Sequence, residues 1–280
     1  MSYPKQNDMH HTIIIPHRNR NRHLELCLWS IARSIEAVGV RHVEVLVVEH
    51  GSDVKPTATD RRVRVIVDER PMPAGTITTR IGTVKHYENA FCKSRLLNLG
   101  IEQAQGDVIT ILDADAVVGL MWASGATLLS RVNIHRVCYR VRYIEKGEVA
   151  GLLNAEVDRD EEFNRLFRQY DRHCLAWEAY GHPAKNAFDS HAQPWGNSQF
   201  SMRRSDIGDL RFDERYIGKG LEDIDFNRQV YEKLGVAFRG VIFTQPDYAM
   251  FHLRHDYDQD RWSDPAFQIA NCDRYNGRLE

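Results

Sequence analysis

Short, mostly apolar runs alternate with amphipathic segments through the first 115 residues of the chain. Such runs, bounded by polar segments, are typical of strands that are covered on both faces of a sheet. They predict strands at residues 11–16, 43–48, 63–67 and 108–112. Apolar residues at helical spacing predict helices over residues 23–39 and 88–105, each with a glycine at its end.

The second half of the chain has a more mixed pattern. It predicts two strands and two helices, the strands at residues 136–144 and 236–243 and the helices at 160–180 and 221–235. Prolines, glycines and short polar side chains predict long loops at residues 68–87 and 181–197.

The alternation of strands and helices determines the predicted fold class. Consecutive strand–helix–strand units form parallel sheets with right-handed connections. No linker-like segment divides the 280 residues. We therefore predict a single α/β domain with a mixed, mainly parallel sheet flanked by helices. In such sheets ligands bind beyond the carboxyl ends of the strands.

Two carboxylates follow the fourth predicted strand directly. Asp113 and Asp115 are separated only by Ala114, and they come where an apolar run ends. Burial of an unpaired carboxylate costs several kcal/mol, so these residues are expected at the ligand crevice and not in the core. Oxygen ligands of this kind suit Mg²⁺ or Mn²⁺. The alternative is a pair of solvated turn aspartates.

Charged residues also follow the first two strands. Arg18, Arg20 and Arg22 come after the first strand, and guanidinium groups suit diphosphates. Glu49 and Asp53 come after the second strand, where an acidic group can accept hydrogen bonds from a ribose or a base. The alternatives are a solvated basic loop, a nucleic-acid patch and an ordinary turn.

Two further groups of polar residues occur late in the chain. Glu222, Asp223 and Asp225 lie where a predicted helix begins. Acidic residues are favoured there by the helix dipole alone, but one of them could act as a general base on a hydroxyl. His252 and His255 are three residues apart after a strand-like segment, and imidazoles can be metal ligands or structural groups.

Composition narrows the class of protein. Apolar residues make up 42% of the chain and charged residues 27%, as in ordinary soluble proteins. The net charge of −2 argues against a chain dominated by nucleic-acid binding. Five scattered cysteines without a CxxC pair predict neither a disulfide framework nor a thiolate zinc site. We expect a cytoplasmic protein without a secretory signal or a transmembrane segment.

Five stretches occur in an order that resembles a known family. They are "IIIPHRNRNRHL" (13–24), "FCKSRLLNLGI" (91–101), "LDADAVV" (112–118), "GKGLEDIDFNR" (218–228) and "HLRH" (252–255). They resemble motifs of the GT-A glycosyltransferases. The likeness is greatest to the β-1,4-galactosyltransferase family and to bacterial family 2-like galactosyl- and N-acetylgalactosaminyltransferases.

The resemblance implies roles for individual residues. Asp115, His255 and His252 would hold Mn²⁺ or Mg²⁺. Asp223 would be the catalytic base, and Glu222 would contact the acceptor beside it. The residues expected at the UDP-sugar are Pro16, Arg18, Arg20, Glu49, Arg95, Asp113, Asp115, Trp195 and Gly196.

The resemblance also implies an activity. It is metal-dependent, inverting transfer of a hexose or N-acetylhexosamine from a UDP-sugar to a hydroxyl of a glycan or another acceptor. Residues 1–120 would form the nucleotide-sugar-binding half and residues 121–280 the acceptor-binding and catalytic half. The alternatives are a nucleotidyltransferase that makes a nucleotide sugar, and a non-catalytic nucleotide-sugar or glycan-binding module. A DNA acceptor is a minority alternative.

Three departures from the family motifs leave the sugars open. His17 stands where the family has Phe, Leu221 replaces a glycine, and Lys219 is near the position of a missing tryptophan. These positions bear on the nucleotide contact and on the acceptor. The sequence therefore predicts a sugar transfer without naming the donor sugar or the acceptor.

Overall fold

The structure, a computed structural model, describes residues 9–130, 134–139, 141–144, 146–153, 158–165, 199–218, 220–235, 240–243, 246–253 and 265–277. Its strands are β1 (His11–His17), β2 (Val43–Glu49), β3 (Val63–Val67), β4 (Gly75–Thr78), β5 (Val84–Tyr87), β6 (Val108–Ile111), β7 (Ala116–Val118), β8 (Arg136–Tyr139), β9 (Val141–Ile144), β10 (Phe200–Arg203), β11 (Gly240–Phe243) and β12 (Met250–Leu253).

Helices lie between some of these strands and after the last one. They are α1 (Asn21–Val38), α2 (Lys93–Gln103), α3 (Trp122–Gly125), α4 (Lys146–Leu153), α5 (159–165), α6 (Arg204–Ile207), α7 (Glu222–Leu234) and α8 (Pro265–Tyr275). Within the described residues, no helix is both long enough and apolar enough to cross a bilayer.

A seven-stranded sheet forms the centre of the described fold, in the order β11-β8-β10-β6-β1-β2-β3. Strands β3, β2, β1 and β6 pair in parallel, as the sequence predicts. Strand β10 is antiparallel to both of its neighbours, β6 and β8. The predicted mixed, mainly parallel sheet is therefore confirmed, and the carboxyl ends of β1, β2, β3 and β6 meet along one side, here called the carboxyl edge.

Both faces of this sheet are covered by helices. Helix α1 packs on one face through a stripe that includes Leu24 and Ile31, and it ends at Gly39 with a positive φ of 68°. Helices α2 and α7 lie on the other face, in a cluster that contains Leu97 and Phe226. Burial on both faces explains why the central strands are nearly continuous apolar runs.

A second sheet of three strands, β7-β12-β9, lies beside the end of β6. It corrects the prediction of one strand over 136–144, because β8 belongs to the central sheet and β9 to the second sheet. Strand β12 pairs antiparallel with β7, so that His252 lies opposite Ala116. This register brings His252 next to Asp115.

The prediction of a loop over residues 68–87 is wrong in part. Strands β4 and β5 form an antiparallel hairpin within it, whose turn includes Gly82 at a φ of 82°. Helix α8 packs on β4, and Tyr87 meets Phe267 edge-on at 5.7 Å between ring centres. These distant partners stabilise strands that the local composition disfavours.

Helix boundaries differ from the predictions at a few ends. Helix α2 begins at residue 93 and not at 88. Strand β11 falls within the predicted strand 236–243, and α7 matches the helix predicted at 221–235. Residues 159–165 are helical, whereas the rest of the helix predicted to residue 180 and the loop predicted at 181–197 lie outside the described residues.

Candidate active site

The carboxyl edge brings residues from β1 and β6 into contact. Asp115 follows β6, and Arg20 lies just before α1. Arg20 Nη1 donates a hydrogen bond to Asp115 Oδ2 at 2.6 Å. Residues predicted at a shared crevice from strand ends alone are therefore neighbours in space.

Asp115 is also close to His252 of β12. Its side chain is almost buried, and its Oδ1 lies 3.5 Å from His252 Nε2. The Asp115 carbonyl accepts a hydrogen bond of 2.8 Å from the Leu253 amide, which fixes β12 at this point. His255, the third predicted metal ligand, lies outside the described residues. Among the described residues, no group of three or more His, Cys, Asp or Glu is arranged so that it could hold a metal ion.

Lys93 is a charged residue of this site that the sequence analysis missed. It is the first residue of α2, and its Nζ forms an ion pair with Asp113 Oδ1. The same Nζ lies 3.9 Å from Glu222 Oε1. Gln199 Nε2 donates to the other oxygen of Asp113 at 3.0 Å. Lys93, Asp113, Glu222 and Asp223 are called the Lys93 cluster below.

The amino end of α7 supplies the two acids of this cluster. Leu221 precedes the helix with a positive φ of 72°, a conformation that costs a residue with a side chain about 1–2 kcal/mol. Stacking of Phe226 on Phe212 at 4.1 Å anchors the next turn. Asn271 of α8 donates to the carbonyls of Ile217 and Gly220, both at 3.1 Å, and so holds the preceding loop.

The third acid of α7 has different partners. Asp225 accepts hydrogen bonds from Arg228 at 2.7 Å and from Gln229 at 3.0 Å, both on the same helix. These contacts neutralise Asp225 within α7. Of the three predicted acids, Glu222 and Asp223 are therefore the two whose charge is coupled to Lys93.

Burial changes the proton affinity of the Lys93 cluster. It raises the pKa of Glu222 to about 7, the Asp223 charge adds to the rise, and Lys93 opposes it. Burial also raises the pKa of Asp223, again against the effect of Lys93. Burial alone would lower the pKa of Lys93, but Asp113 and Glu222 outweigh it and raise that pKa above its usual range. Lys93 therefore stays cationic, while Glu222 can exchange a proton near neutral pH.

The residues of β1, β2 and the loops after them that are expected to bind the UDP-sugar are held by contacts with the backbone. Arg18 Nη1 donates to the Asn89 carbonyl at 2.7 Å. Glu49 is fully buried and accepts a hydrogen bond of 2.6 Å from the Ser52 amide. Pro16 lies inside β1 in register with Val48 of β2. The contacts of Glu49 suit a residue that shapes the turn after β2.

Arg95 lies on a different side of α2 from Lys93. Its Nε donates to Asp68 Oδ2 at 2.5 Å and its Nη1 to the Pro71 carbonyl at 2.8 Å. Burial would raise the pKa of Asp68, but Arg70 and Arg95 hold that pKa below its usual range. The donor contact expected for Arg95 stays a prediction, and Trp195 and Gly196 lie outside the described residues.

Comparison with known families decides the class of this chain. The family model described as Glycosyl transferase family 2 matches residues 12–186, which is more than half of the chain. This chain belongs to glycosyl transferase family 2. The matched range includes the carboxyl edge, Lys93 and both aspartates after β6. A search of curated proteins found no match to this family 2 chain.

Solved structures of low sequence identity share the fold of this family 2 chain. S. aureus TarS in complex with UDP-GlcNAc has a TM-score of 0.53 at 15% identity, over 89% of this chain and 59% of that one. Glucosyl-3-phosphoglycerate synthase from Mycobacterium tuberculosis, with Mn²⁺, UDP and phosphoglyceric acid, has a TM-score of 0.52 at 17% identity, over 98% of this chain and 80% of that one.

An archaeal enzyme shows the same likeness. The mannosyltransferase PcManGT from Pyrobaculum calidifontis, with GDP-Man and Mn²⁺, has a TM-score of 0.50 at 17% identity, over 87% of this chain and 56% of that one. This chain spans less than two thirds of the TarS chain in complex with UDP-GlcNAc. These comparisons establish the GT-A fold that the sequence motifs predict.

Proposed function

We propose that this family 2 chain is a metal-dependent, inverting glycosyltransferase that moves a sugar from a UDP-sugar to a hydroxyl acceptor. The observation that carries the proposal is the Lys93 cluster. In it, an aspartate from the carboxyl edge and two buried acids at the start of α7 surround one lysine. A transferase needs a donor-side charge and an acceptor-side base within one site, and this cluster offers both.

Asp115 and His252 fit a divalent cation. One carboxylate oxygen and one imidazole nitrogen lie 3.5 Å apart, and this O and N donor set suits Mn²⁺. Arg20 binds the other carboxylate oxygen and so orients Asp115 toward His252. His255, three residues along the chain, is the expected third ligand. When bound, the cation neutralises the diphosphate that leaves with the nucleotide.

Asp223 is proposed as the general base. Its carboxylate would accept the proton of the acceptor hydroxyl while that oxygen attacks the anomeric carbon and the bond to the diphosphate breaks. One displacement inverts the anomeric configuration. A buried carboxyl with a raised pKa suits this role, because a base is most effective when its pKa approaches the working pH. Glu222 would orient the acceptor beside it.

Two observations support a UDP-sugar as the sugar donor. The motifs resemble the β-1,4-galactosyltransferase family and bacterial galactosyl- and N-acetylgalactosaminyltransferases, which use UDP-sugars. TarS and glucosyl-3-phosphoglycerate synthase were solved with UDP-GlcNAc and UDP, whereas PcManGT was solved with GDP-Man. On this basis residues 1–120 would bind the nucleotide sugar, and residues 121–280 would bind the acceptor.

The stereochemistry of the product tests the proposed single displacement. Proton NMR of a reaction started with an α-linked UDP-sugar should show a β-linked product from its first turnover. An α-linked product would contradict direct attack assisted by Asp223.

Lys93 should set the pH dependence of the reaction. Because its charge lowers the pKa of Asp223 and Glu222, Lys93→Met should raise both pKa values and keep the base protonated to higher pH. The acid limb of the kcat profile should move to higher pH, with a loss of about tenfold at a pH of about 6 and a smaller loss in alkaline buffer.

Lys93→Arg provides the matched control, because it preserves the positive charge. It should restore the acid limb toward that of the unmodified chain. If Lys93→Met lowers kcat equally at all pH values, Lys93 supports the structure of the site without setting the proton affinity of its acids.

A further inference from the structure

A cavity lies next to Lys93, between the β4–β5 hairpin, the start of α2, the loop before α7, and α8. Its volume is about 390 Å³, within the range of pockets that hold small ligands. That space suits a phosphorylated or carboxylated monosaccharide. We call it the hairpin pocket.

The hairpin pocket is separate from the candidate active site but adjoins it. Cys92 lines the pocket, and the next residue, Lys93, points to Asp113 instead. Ile217 lines it from the loop that leads into α7. Asp113 and Asp115 are not part of its wall. A molecule in this pocket would therefore lie beside the loop that leads into α7.

Positive charge dominates the pocket wall. Arg95, Arg215 and Arg274 line it together with the acid Glu214, while Arg95 is paired with Asp68 and Arg215 with Asp213. Glu214 Oε1 accepts a hydrogen bond from Asn98 Nδ2 at 3.0 Å, and its Oε2 lies 3.8 Å from the guanidinium of Arg70. The negative charge of Glu214 is thus already offset by partners, and Arg274 is the arginine of the wall without an ion-pair partner among the described residues.

Two of these arginines retain capacity to donate hydrogen bonds. Arg95 is 8% exposed, and its Nη2 has no hydrogen-bond partner among the described residues. A buried donor without a partner costs free energy, which an anionic ligand nearby would recover. The guanidinium of Arg274, in the last turn of α8, forms no hydrogen bond or ion pair with the described residues.

The remaining wall suits a sugar ring. Ile77, Ile217 and Tyr87 provide apolar surface, and Phe267 supports Tyr87 from behind. An aromatic side chain can cover the apolar face of a pyranose while its hydroxyl group provides a polar contact. Arginine groups beside such a surface match an acidic sugar better than a neutral one.

We propose that the hairpin pocket binds the anionic group, a phosphate or a carboxylate, of an acidic sugar acceptor. This inference rests on the proposed glycosyl transfer, because the start of α7 is where the acceptor hydroxyl would lose its proton. Arg274 and Arg95 bind the anionic group, and Tyr87 covers the sugar ring, so that Arg95 contacts the acceptor in place of the UDP-sugar contact expected from its motif. The chain is thereby selective for acidic acceptors over neutral ones.

Calorimetry on the full chain tests the pocket independently of catalysis. The probes are glucose 6-phosphate, glucuronic acid, glucose and inorganic phosphate. At least one acidic sugar should bind more tightly than glucose, and Arg274→Gln should weaken it about 10- to 100-fold. Arg41→Gln is the matched control. Arg41 is an exposed residue just before β2 and is not part of the pocket wall, so its substitution removes the same charge outside the pocket. It should leave binding unchanged.

The outcomes separate the possible failures. Equal affinity of Arg274→Gln and the unmodified chain for every probe, or no binding of any acidic sugar, overturns the proposal. If inorganic phosphate binds as tightly as glucose 6-phosphate, the pocket recognises a free anion and not a sugar. This result overturns the acceptor assignment. UDP release without acceptor should be the same in Arg41→Gln and the unmodified chain. If neither protein releases UDP, the proposed transferase activity is contradicted. The calorimetry still decides whether the pocket binds anions.

Discussion

Asp223→Asn should lower turnover about 100- to 10,000-fold, the usual contribution of a general base. The asparagine side chain has nearly the same shape but cannot accept the acceptor proton. Burial and the raised pKa of Asp223 suit it to this role, and its position at the start of α7 places it beside Glu222. Donor binding should be retained, because the substitution leaves the expected nucleotide residues themselves unchanged. Steady-state kinetics and calorimetry with the UDP-sugar measure the two effects separately.

Asp225→Asn is the matched control for this substitution. Asp225 is in the same turn of α7 and is equally buried, but its partners are Arg228 and Gln229. It should keep most of the turnover. Equal losses in both variants would mean that the carboxylates support α7, and unchanged turnover in Asp223→Asn would assign the base to another residue.

Asp115→Asn should weaken Mn²⁺ binding at least about 100-fold, since even outer partners of metal ligands contribute about 10- to 100-fold. The amide removes the negative charge that faces His252 and also leaves Arg20 without its carboxylate. Metal-dependent catalysis should fall with it. Electron paramagnetic resonance of Mn²⁺ measures the binding directly, in the presence of UDP so that a diphosphate is available as co-ligand.

Asp107→Asn controls for the loss of one carboxylate. Asp107 precedes β6 at the opposite end of the strand, where it accepts a hydrogen bond from the His10 amide. Its replacement should leave Mn²⁺ binding intact. If Asp115→Asn binds Mn²⁺ as well as the unmodified chain does, the metal site proposed at Asp115 and His252 is wrong.

The sequence predicts those parts of the fold that depend on local patterns. Strand β3 has the predicted bounds, and α1 ends at Gly39 as expected. Ile14 and its neighbours in β1 are buried on both faces, so that their apolar run is unambiguous. The contact between Arg20 and Asp115 follows from the rule that polar residues at strand ends share one edge.

Elements that depend on distant partners could not be predicted in the same way. The alternation of residues 136–144 is continuous, and only pairing with β12 shows that β9 leaves the central sheet. Strands β4 and β5 contain few apolar residues, and contacts with α8 stabilise them. Their composition therefore resembles that of a loop.

Within the site, Lys93 likewise could not be predicted from a local sequence pattern. Its partners, Asp113 and Glu222, lie in other parts of the chain, so no local spacing connects the three. The available signal was its position in the "FCKSRLLNLGI" stretch, at the first turn of a helix that begins at the carboxyl edge. Lys93 and Arg95 are two residues apart on that helix and therefore face different directions. The resemblance drew attention to Arg95 instead.

The most direct test of the proposed transferase activity is UDP release from a panel of UDP-sugars without acceptor, in Mn²⁺ and in EDTA. Water can replace the acceptor slowly in such sites, so UDP should appear from at least one UDP-sugar with Mn²⁺ and should stop with EDTA. The Asp115→Asn variant should behave like the EDTA sample. A folded chain that releases no UDP from any donor would contradict the proposed activity and would favour a nucleotidyltransferase or a non-catalytic binding module.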